Sequence, residues 1–349
     1  MHELNPDSKF VRDIESFRAK APHPLLATNI PGVFASPPLP DDFDPNIASP
    51  EELRANGIYL PRPPENANPT LRKLWQRMVS TQRLLKGQEV PKLAPQIGKK
   101  HLLGKRPRRE SDTNFQDYTW SGAGFRGGSA PWTAVTANWK VPTVSTPSEP
   151  AGMRTGDWNS SSWVGIDGFN VDIVSNDVVQ IGVDQSVSAT GEESYVAWFE
   201  WYAPDLPDSP PYIWQTNFED FPVNPGDSLS GLVILFQGEF FGVLPLAVVF
   251  LQNETTNLSR MLTLFPPPGA TASGNTVEWV MECNDGGEPF NSLPTFTPVV
   301  FTSALAVDAD GNVGDPVNGD ICNVADPVTG QVLTSVEVGS ETVTITFIG

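Results

Sequence analysis

The chain has 349 residues, enough for one large domain or two ordinary ones, and carries 35 Pro and 29 Gly but only 2 Cys. Its net charge of −19 is unevenly spread: residues 1–110 hold 18 of the 22 basic and 12 of the 41 acidic side chains, so the remainder, with 4 basic and 29 acidic groups, carries −25. A body that acidic repels nucleic acid and anionic membrane surfaces, which excludes both as partners.

The first 30 residues carry charges throughout and contain no apolar stretch of the kind found in a secretory signal. Phe10, Ile14 and Phe17 recur at helical spacing. Ser49-Pro50-Glu51-Glu52 reads as a capping box with Pro at the first helical position, and Gly57 closes that short helix. Asn68-Pro69 opens a longer helix with Leu71, Leu74, Trp75, Met78 and Val79 on one stripe. Between them, Pro37-Pro38-Leu39-Pro40 and Pro61-Arg62-Pro63-Pro64 are extended linker. Lys105-Arg106-Pro107-Arg108-Arg109 ends the segment as a solvated linker, a processing site or, least of all, a nucleic-acid contact. Residues 1–110 are therefore expected to form a propeptide-like or regulatory segment that lies on the acidic domain, helped by opposite charge.

Beyond residue 110 the pattern is strand after strand: Ala134–Val141, Ser161–Ile166, Val178–Val187, Ser194–Ala203, Leu229–Phe236, Leu246–Leu251, Met261–Phe265, Thr276–Met281, Val299–Phe301, Val332–Val338 and Thr342–Ile348. Turns such as Asn224-Pro225-Gly226-Asp227 and Asp310-Gly311-Asn312 separate them. Strands without intervening helices predict an all-β sandwich or barrel over residues 111–349. The longest apolar run, Leu229–Leu251, is broken by Gln237, Glu239 and Pro245 and spans no bilayer as a helix. Cys283 and Cys322 could form one disulfide. Asn159, Asn253 and Asn257 head glycosylation sequons that matter only in a secreted eukaryotic chain.

His2, His23 and His101 all fall in the first 110 residues, and no Asp-Thr/Ser-Gly pair is present. The β-domain thus lacks the parts of a Ser-His-Asp triad, a Cys-His dyad or a His-based zinc site, and no cofactor or metal is expected. Asp308-Ala-Asp310-Gly-Asn312 lacks calcium-loop spacing and reads as a hairpin turn. Catalysis, if present, falls to carboxylates and amides. With a side-chain period of two, Val178, Gln180, Gly182 and Asp184 share one strand face, as do Val196, Trp198, Glu200 and Tyr202. Polar groups and indoles gathered on strand faces describe a groove.

Trp163-Val-Gly-Ile-Asp167-Gly, Val179-Gln180-Ile-Gly-Val-Asp184, Ala197-Trp198-Phe-Glu200-Trp-Tyr202, Pro225-Gly-Asp227 and Val277-Glu278-Trp-Val-Met-Glu282 occur in the order found in the glutamic peptidases called eqolisins, which the chain resembles from about Thr119 to Gly349. The resemblance implies a concanavalin A-like sandwich of two antiparallel sheets and acid endopeptidase activity on polypeptide substrates. It implies a catalytic Gln–Glu dyad falling on Gln180 and Glu282, with Trp163, Asp167, Trp198, Glu200 and Tyr202 lining the groove. It also implies secretion, although no signal peptide is seen. The sequence departs from the family pattern at Thr119 (usually Asn), at Val196 (usually Asp), at Ala203 and at an insertion over Phe240–Leu246.

In chemical terms Glu282 would take a proton from a water held against Gln180, whose neutral amide would donate to the developing oxyanion. Glu278 shares the face of Glu282 and is expected to be a structural hydrogen-bond acceptor. The alternatives are a non-catalytic carbohydrate- or peptide-binding sandwich, and a pseudo-peptidase plugged by its own N-terminal segment. A monomer is expected.

Overall fold

A computed structural model describes residues 5, 7–21, 24–58, 60, 62–67, 69–99, 101, 108–109, 114–126, 130–147, 157–169, 176–237, 246–284 and 292–349. The Phe240–Leu246 insertion falls outside the described residues except at Leu246, as does most of the Lys105–Arg109 run. Two ten-stranded sheets pack face to face. One runs, edge to edge, through Leu26–Ala27, Val33–Ala35, Leu258–Leu264, Leu246–Asn253, Ser228–Phe236, Trp132–Lys140, Val299–Asp308, Thr342–Phe347 and Thr334–Gly339, with Val313–Gly314 paired alongside Val299–Asp308. The other runs through Leu93–Pro95, Thr216–Phe218, Glu193–Tyr202, Val178–Val187, Trp158–Ile166, Thr276–Cys283, Trp120–Arg126, Asp320–Val324, Asn114–Asp117 and Arg108–Arg109. The fold is thus the expected sandwich. One pair, Asp320–Val324 with Asn114–Asp117, is parallel, so the second sheet is mixed.

Strand alternation splits this second sheet into two chemistries. Val179, Ile181 and Val183, with Val164, Phe199, Trp201, Trp279 and Met281, point into the apolar core between the sheets. Two indoles stitch the layers together: Trp139 Nε1 donates to Ser162 Oγ at 3.1 Å, and Trp279 Nε1 donates to the Thr136 carbonyl at 3.0 Å. The opposite face carries a separate cluster of Phe115, Trp120, Trp163, Phe169, Trp198, Val280 and Cys322. Cys283 and Cys322 form no disulfide with each other, because side chains of a sheet alternate between its two faces and these two lie one on each.

The described residues among the first 110 pack onto this body. Helix α1 (Lys9–Lys20), capped by Ser8, sets Phe10 and Phe17 against Phe265, with ring centroids 5.7 and 5.8 Å apart. Helix α2 (Pro50–Ala55) carries the Ser49/Glu52 capping box. Helix α3 (Pro69–Leu84) lies over the first sheet, where Arg77 donates to Thr136 Oγ1 and Ser230 Oγ. Short strands of the segment extend both sheets: Val33–Ala35 pairs with Leu258–Leu264, Leu93–Pro95 with Thr216–Phe218, and Arg108–Arg109 with Asn114–Asp117. These two- and three-residue strands carry too little periodicity to be read from sequence, and neither does Asp320–Val324. Among the described residues no helix is long and apolar enough to cross a membrane.

Candidate active site

The site is laid out by strand register. Reading across the second sheet, one row on its outer face is Glu200, Gln180, Gly165, Glu278 and Gly124. The next is Trp198, Gly182, Trp163, Val280 and Gly122, and the third is Val196, Asp184, Ser161, Glu282 and Trp120. Adjacent strands lie about 4.8 Å apart. Gln180 and Glu278 therefore face each other across a single strand whose residue in that row has no side chain.

Gly165 is required there. A Cβ at this position would stand 3.1 Å from Glu278 Oε1 and 2.8 Å from the Trp163 ring, so the Glu278 carboxyl leans over the glycine towards Gln180. Both residues are fully buried. Gln180 Nε2 donates one hydrogen to Glu200 Oε2 at 3.3 Å, Gln180 Oε1 accepts none, and neither Glu278 oxygen has a donor in good hydrogen-bond geometry, although the Thr276 hydroxyl lies close enough to favour the charged form. Burial drives the Glu278 pKa well above the ordinary carboxyl range, the Asp167 charge pushes the same way, and the Thr276 hydroxyl opposes. Unpartnered polar atoms in so buried a place are costly, and here they converge on one spot.

Glu282 lies elsewhere. It is four residues further along the same strand, roughly 13 Å from the Gln180 row at strand rise. Its Oε2 accepts from Trp163 Nε1 at 2.9 Å and lies 3.0 Å from His101 Nδ1. The register thus sets Glu278, and not Glu282, opposite Gln180. Period-two reasoning puts both glutamates on this face, and only pairing with the intervening strand separates them.

The remaining expected residues all belong to this face or its rim. Trp163 is buried and meets Trp120 edge-on at 4.8 Å. Trp198 is buried, and Glu200 lies at the end of the Gln180 row. Tyr202 is half-buried opposite Val178, its phenol pKa raised by burial and by the Glu200 charge. Asp167 sits in the left-handed region (φ 72°) and accepts from Ser273 Oγ, Gly274 N and Asn275 N at 2.8, 2.9 and 2.7 Å. It clamps the loop that feeds the Glu278 strand.

Sequence reasoning missed the residue at the centre of the face, His101. Its ring stacks on Trp198 (centroids 3.7 Å apart, planes 12° apart). Its backbone N–H donates to Glu200 Oε2 at 3.0 Å, and its Nε2 lies 3.0 Å from Gln215 Oε1. Burial alone would lower the imidazole pKa, but Glu282, then Asp184 and Glu200, outweigh it and leave the pKa raised. Two residues earlier, Lys99 Nζ reaches Asp184 Oδ2 at 2.5 Å. Burial would raise the Asp184 pKa, yet the Lys99 and His101 charges, with hydrogen bonds from Lys99 and Ser161, hold it below the usual range. Val196, where the family pattern has Asp, stands opposite Asp184, so no second carboxylate repels that charge from across the strand pair. Nothing in the linker-like sequence around residue 101 marks these long-range contacts.

The model of the peptidase A4 family matches residues 118–347, about two thirds of the chain. The chain belongs to the peptidase A4 family. These are the eqolisins, and the chain is accordingly a peptide-bond hydrolase by family. It is similar to aspergillopepsin-2 of Aspergillus niger, with 28% identity over 250 residues, covering 68% of this chain and 80% of that protein. Its fold is similar to that of scytalido-glutamic peptidase solved with a transition-state analogue inhibitor: TM-score 0.51, 23% identity, 66% of this chain and 98% of the other. A second structure of that peptidase, with a peptide-based analogue, matches over the same shares at TM-score 0.50 and 23% identity. The eqolisin match leaves the first 117 residues, and hence His101, outside it.

Proposed function

We propose that this eqolisin is an acid-acting glutamic endopeptidase whose dyad is Gln180 and Glu278, held latent by its own Lys99 and His101. The observation that carries the reading is the row Gln180–Gly165–Glu278, in which a side-chain-free position separates an amide from a buried carboxyl. A water between them can give a proton to the Glu278 carboxylate as its oxygen attacks the scissile carbonyl. The amide of Gln180 has a second N–H beyond the one given to Glu200, and it donates to the oxyanion as charge develops. Protonated Glu278 then passes its proton to the leaving nitrogen, which breaks the C–N bond and restores the carboxylate. The raised pKa of Glu278 suits the second half of this cycle, donation to the leaving nitrogen, while the first half draws on the fraction of the group that is in its carboxylate form.

The latent reading rests on His101 and Lys99, which occupy the face a substrate would need. It favours a zymogen over a sugar-binding sandwich, because Trp198 is already covered by a peptide side chain of the same molecule. The test is digestion of a denatured protein at pH 3–4 by the full-length chain, expected to be slow, by the unblocked His101→Ala chain, and by Gln180→Glu, Glu278→Gln and Glu282→Gln made in that His101→Ala background. Expected losses are about a thousandfold or more for Gln180→Glu and Glu278→Gln, and far less for Glu282→Gln. Full activity of Glu278→Gln with loss in Glu282→Gln would return the base to Glu282. No proteolysis by any form, His101→Ala included, would make the chain a pseudo-peptidase.

A further inference from the structure

The pocket that holds His101 has a chemistry of its own. Its floor is the Trp198 indole, which admits a flat ring. At one end, the orientation of the Gln215 amide is fixed by what its nitrogen does: it donates to Asp184 Oδ2 at 2.7 Å and to Asn217 Oδ1 at 2.8 Å. Gln215 Oε1 must therefore face the ring as an acceptor, so His101 Nε2 carries a hydrogen and donates to it. At the other end, Glu282 Oε2 already accepts from Trp163 Nε1 and lies 3.0 Å from His101 Nδ1. Asp184 Oδ1 is 3.7 Å from Nε2. Two acceptors at opposite ends of a flat slot, with carboxylates around them, ask for a planar cation that donates from both edges.

We infer that this pocket is a subsite for an imidazolium side chain, that His101 fills it as a built-in pseudo-substrate, and that the enzyme selects polypeptides with histidine at that position. The inference rests on the peptidase reading above, but the pocket itself does not. Phenylalanine would stack equally well yet leave Gln215 Oε1 without its ring donor and take from Glu282 the one that His101 offers, which is costly in a site this buried. A lysine ammonium has the charge but no plane to lay on the indole, and a guanidinium brings five donors to two acceptors. The backbone is read as well, through the bond from His101 N–H to Glu200. In an extended chain residues i and i+2 lie on one side. Lys99 duly meets the same face at Asp184, though as a rim contact with its side chain 45% exposed. The pseudo-substrate is thus Lys-x-His.

The experiment uses the full-length His101→Ala chain. Imidazole alone, titrated at pH 5, is expected to raise its melting temperature, and pyrazole, which is uncharged at that pH, to do so at least tenfold less well. In matched peptides that differ only at the pocket position, His is expected to give a kcat/KM roughly tenfold or more above Phe, the size of discrimination a hydrogen-bonding pocket provides. Gln215→Leu is expected to bring the kcat/KM of His peptides down to that of Phe peptides, erasing the preference. Cleavage at equal rates for His and Phe, with no imidazole effect, would overturn the inference and leave the peptidase reading standing. Imidazole binding without any cleavage would overturn the peptidase reading and leave the pocket standing. Should His101→Ala fail to fold, ¹⁵N spectra of the wild-type imidazole decide: a proton on Nε2 and one shared between Nδ1 and Glu282 are expected at pH 5, and an Nε2 without a proton would overturn the assignment.

Discussion

Along the strand Val178–Val187, alternate positions are buried alike. Val179, Ile181 and Val183 are at most 1% exposed, and Gln180 is not exposed at all. The two sets differ in what they meet. The inner set packs against Phe199, Trp201 and the facing sheet, and its burial is repaid by apolar contact. The outer set meets carboxylates, an amide and a histidine from the segment before the domain, and its Gln180 Oε1 has no hydrogen-bond partner. A sandwich needs the first face to fold, whereas it keeps the second at a cost in stability, which fits a face held for chemistry.

Four outcomes would break or sharpen this contrast. The largest concerns Glu278→Gln, expected to abolish proteolysis and at the same time to raise the melting temperature at pH 7. The folded-state pKa of Glu278 lies above its unfolded value, so the fold is favoured below pH 4.5 and loses stability as the pH rises through the folded value. Removing the charge cancels that loss, and the gain is expected to vanish at pH 4. A melting temperature that falls at pH 7 would mean the carboxyl is structural.

Ile181→Ala, one residue away on the inner face, is expected to cost roughly 2–5 kcal/mol in urea unfolding with no direct effect on chemistry. Asp117 offers a graded version of the Glu278 effect. Burial raises its pKa to about 6 in spite of hydrogen bonds from Thr119 and Trp120. With an unfolded value near 3.8, stability is highest below about pH 4 and declines as the pH climbs to 6. By order of magnitude the decline totals about 3 kcal/mol. Asp117→Asn, whose amide oxygen can accept the same bonds, is expected to flatten that slope between pH 4 and 6. The smallest change is expected from Lys99→Ala, below about 1 kcal/mol because the ammonium is largely solvated. Its contribution, like that of Asp184, is lost as pH falls through the depressed pKa of Asp184, so strong acid is expected to loosen Lys99 from the face.

How much of this was legible from residue order varies with range. Val178–Val187 was read to the residue and Glu193–Tyr202 to within one, because alternation is a local signal. Gln180, Trp163, Trp198 and Glu200 were found on the right face for the same reason. Which glutamate faces Gln180 was not legible, since Glu278 and Glu282 are equivalent to a period of two and differ only in register with Trp158–Ile166. His101 was invisible: its partners lie 99 residues away at Glu200, 114 at Gln215 and 181 at Glu282, and no local pattern encodes such distances. Counting histidines by their place in the chain excluded the one that folds into the site.

The short strands Leu93–Pro95 and Arg108–Arg109 are the two opposite edges of the sheet that carries Gln180. His101 is therefore tethered on both sides to the surface it occupies, and meets its pocket at an effective concentration on the order of millimolar however dilute the protein is. A free peptide must out-compete that local supply, and no amount of dilution helps it. One break in the chain between His101 and Arg108 would halve the anchoring and leave both edge strands in place, turning a permanent occupant into an ordinary competitive ligand.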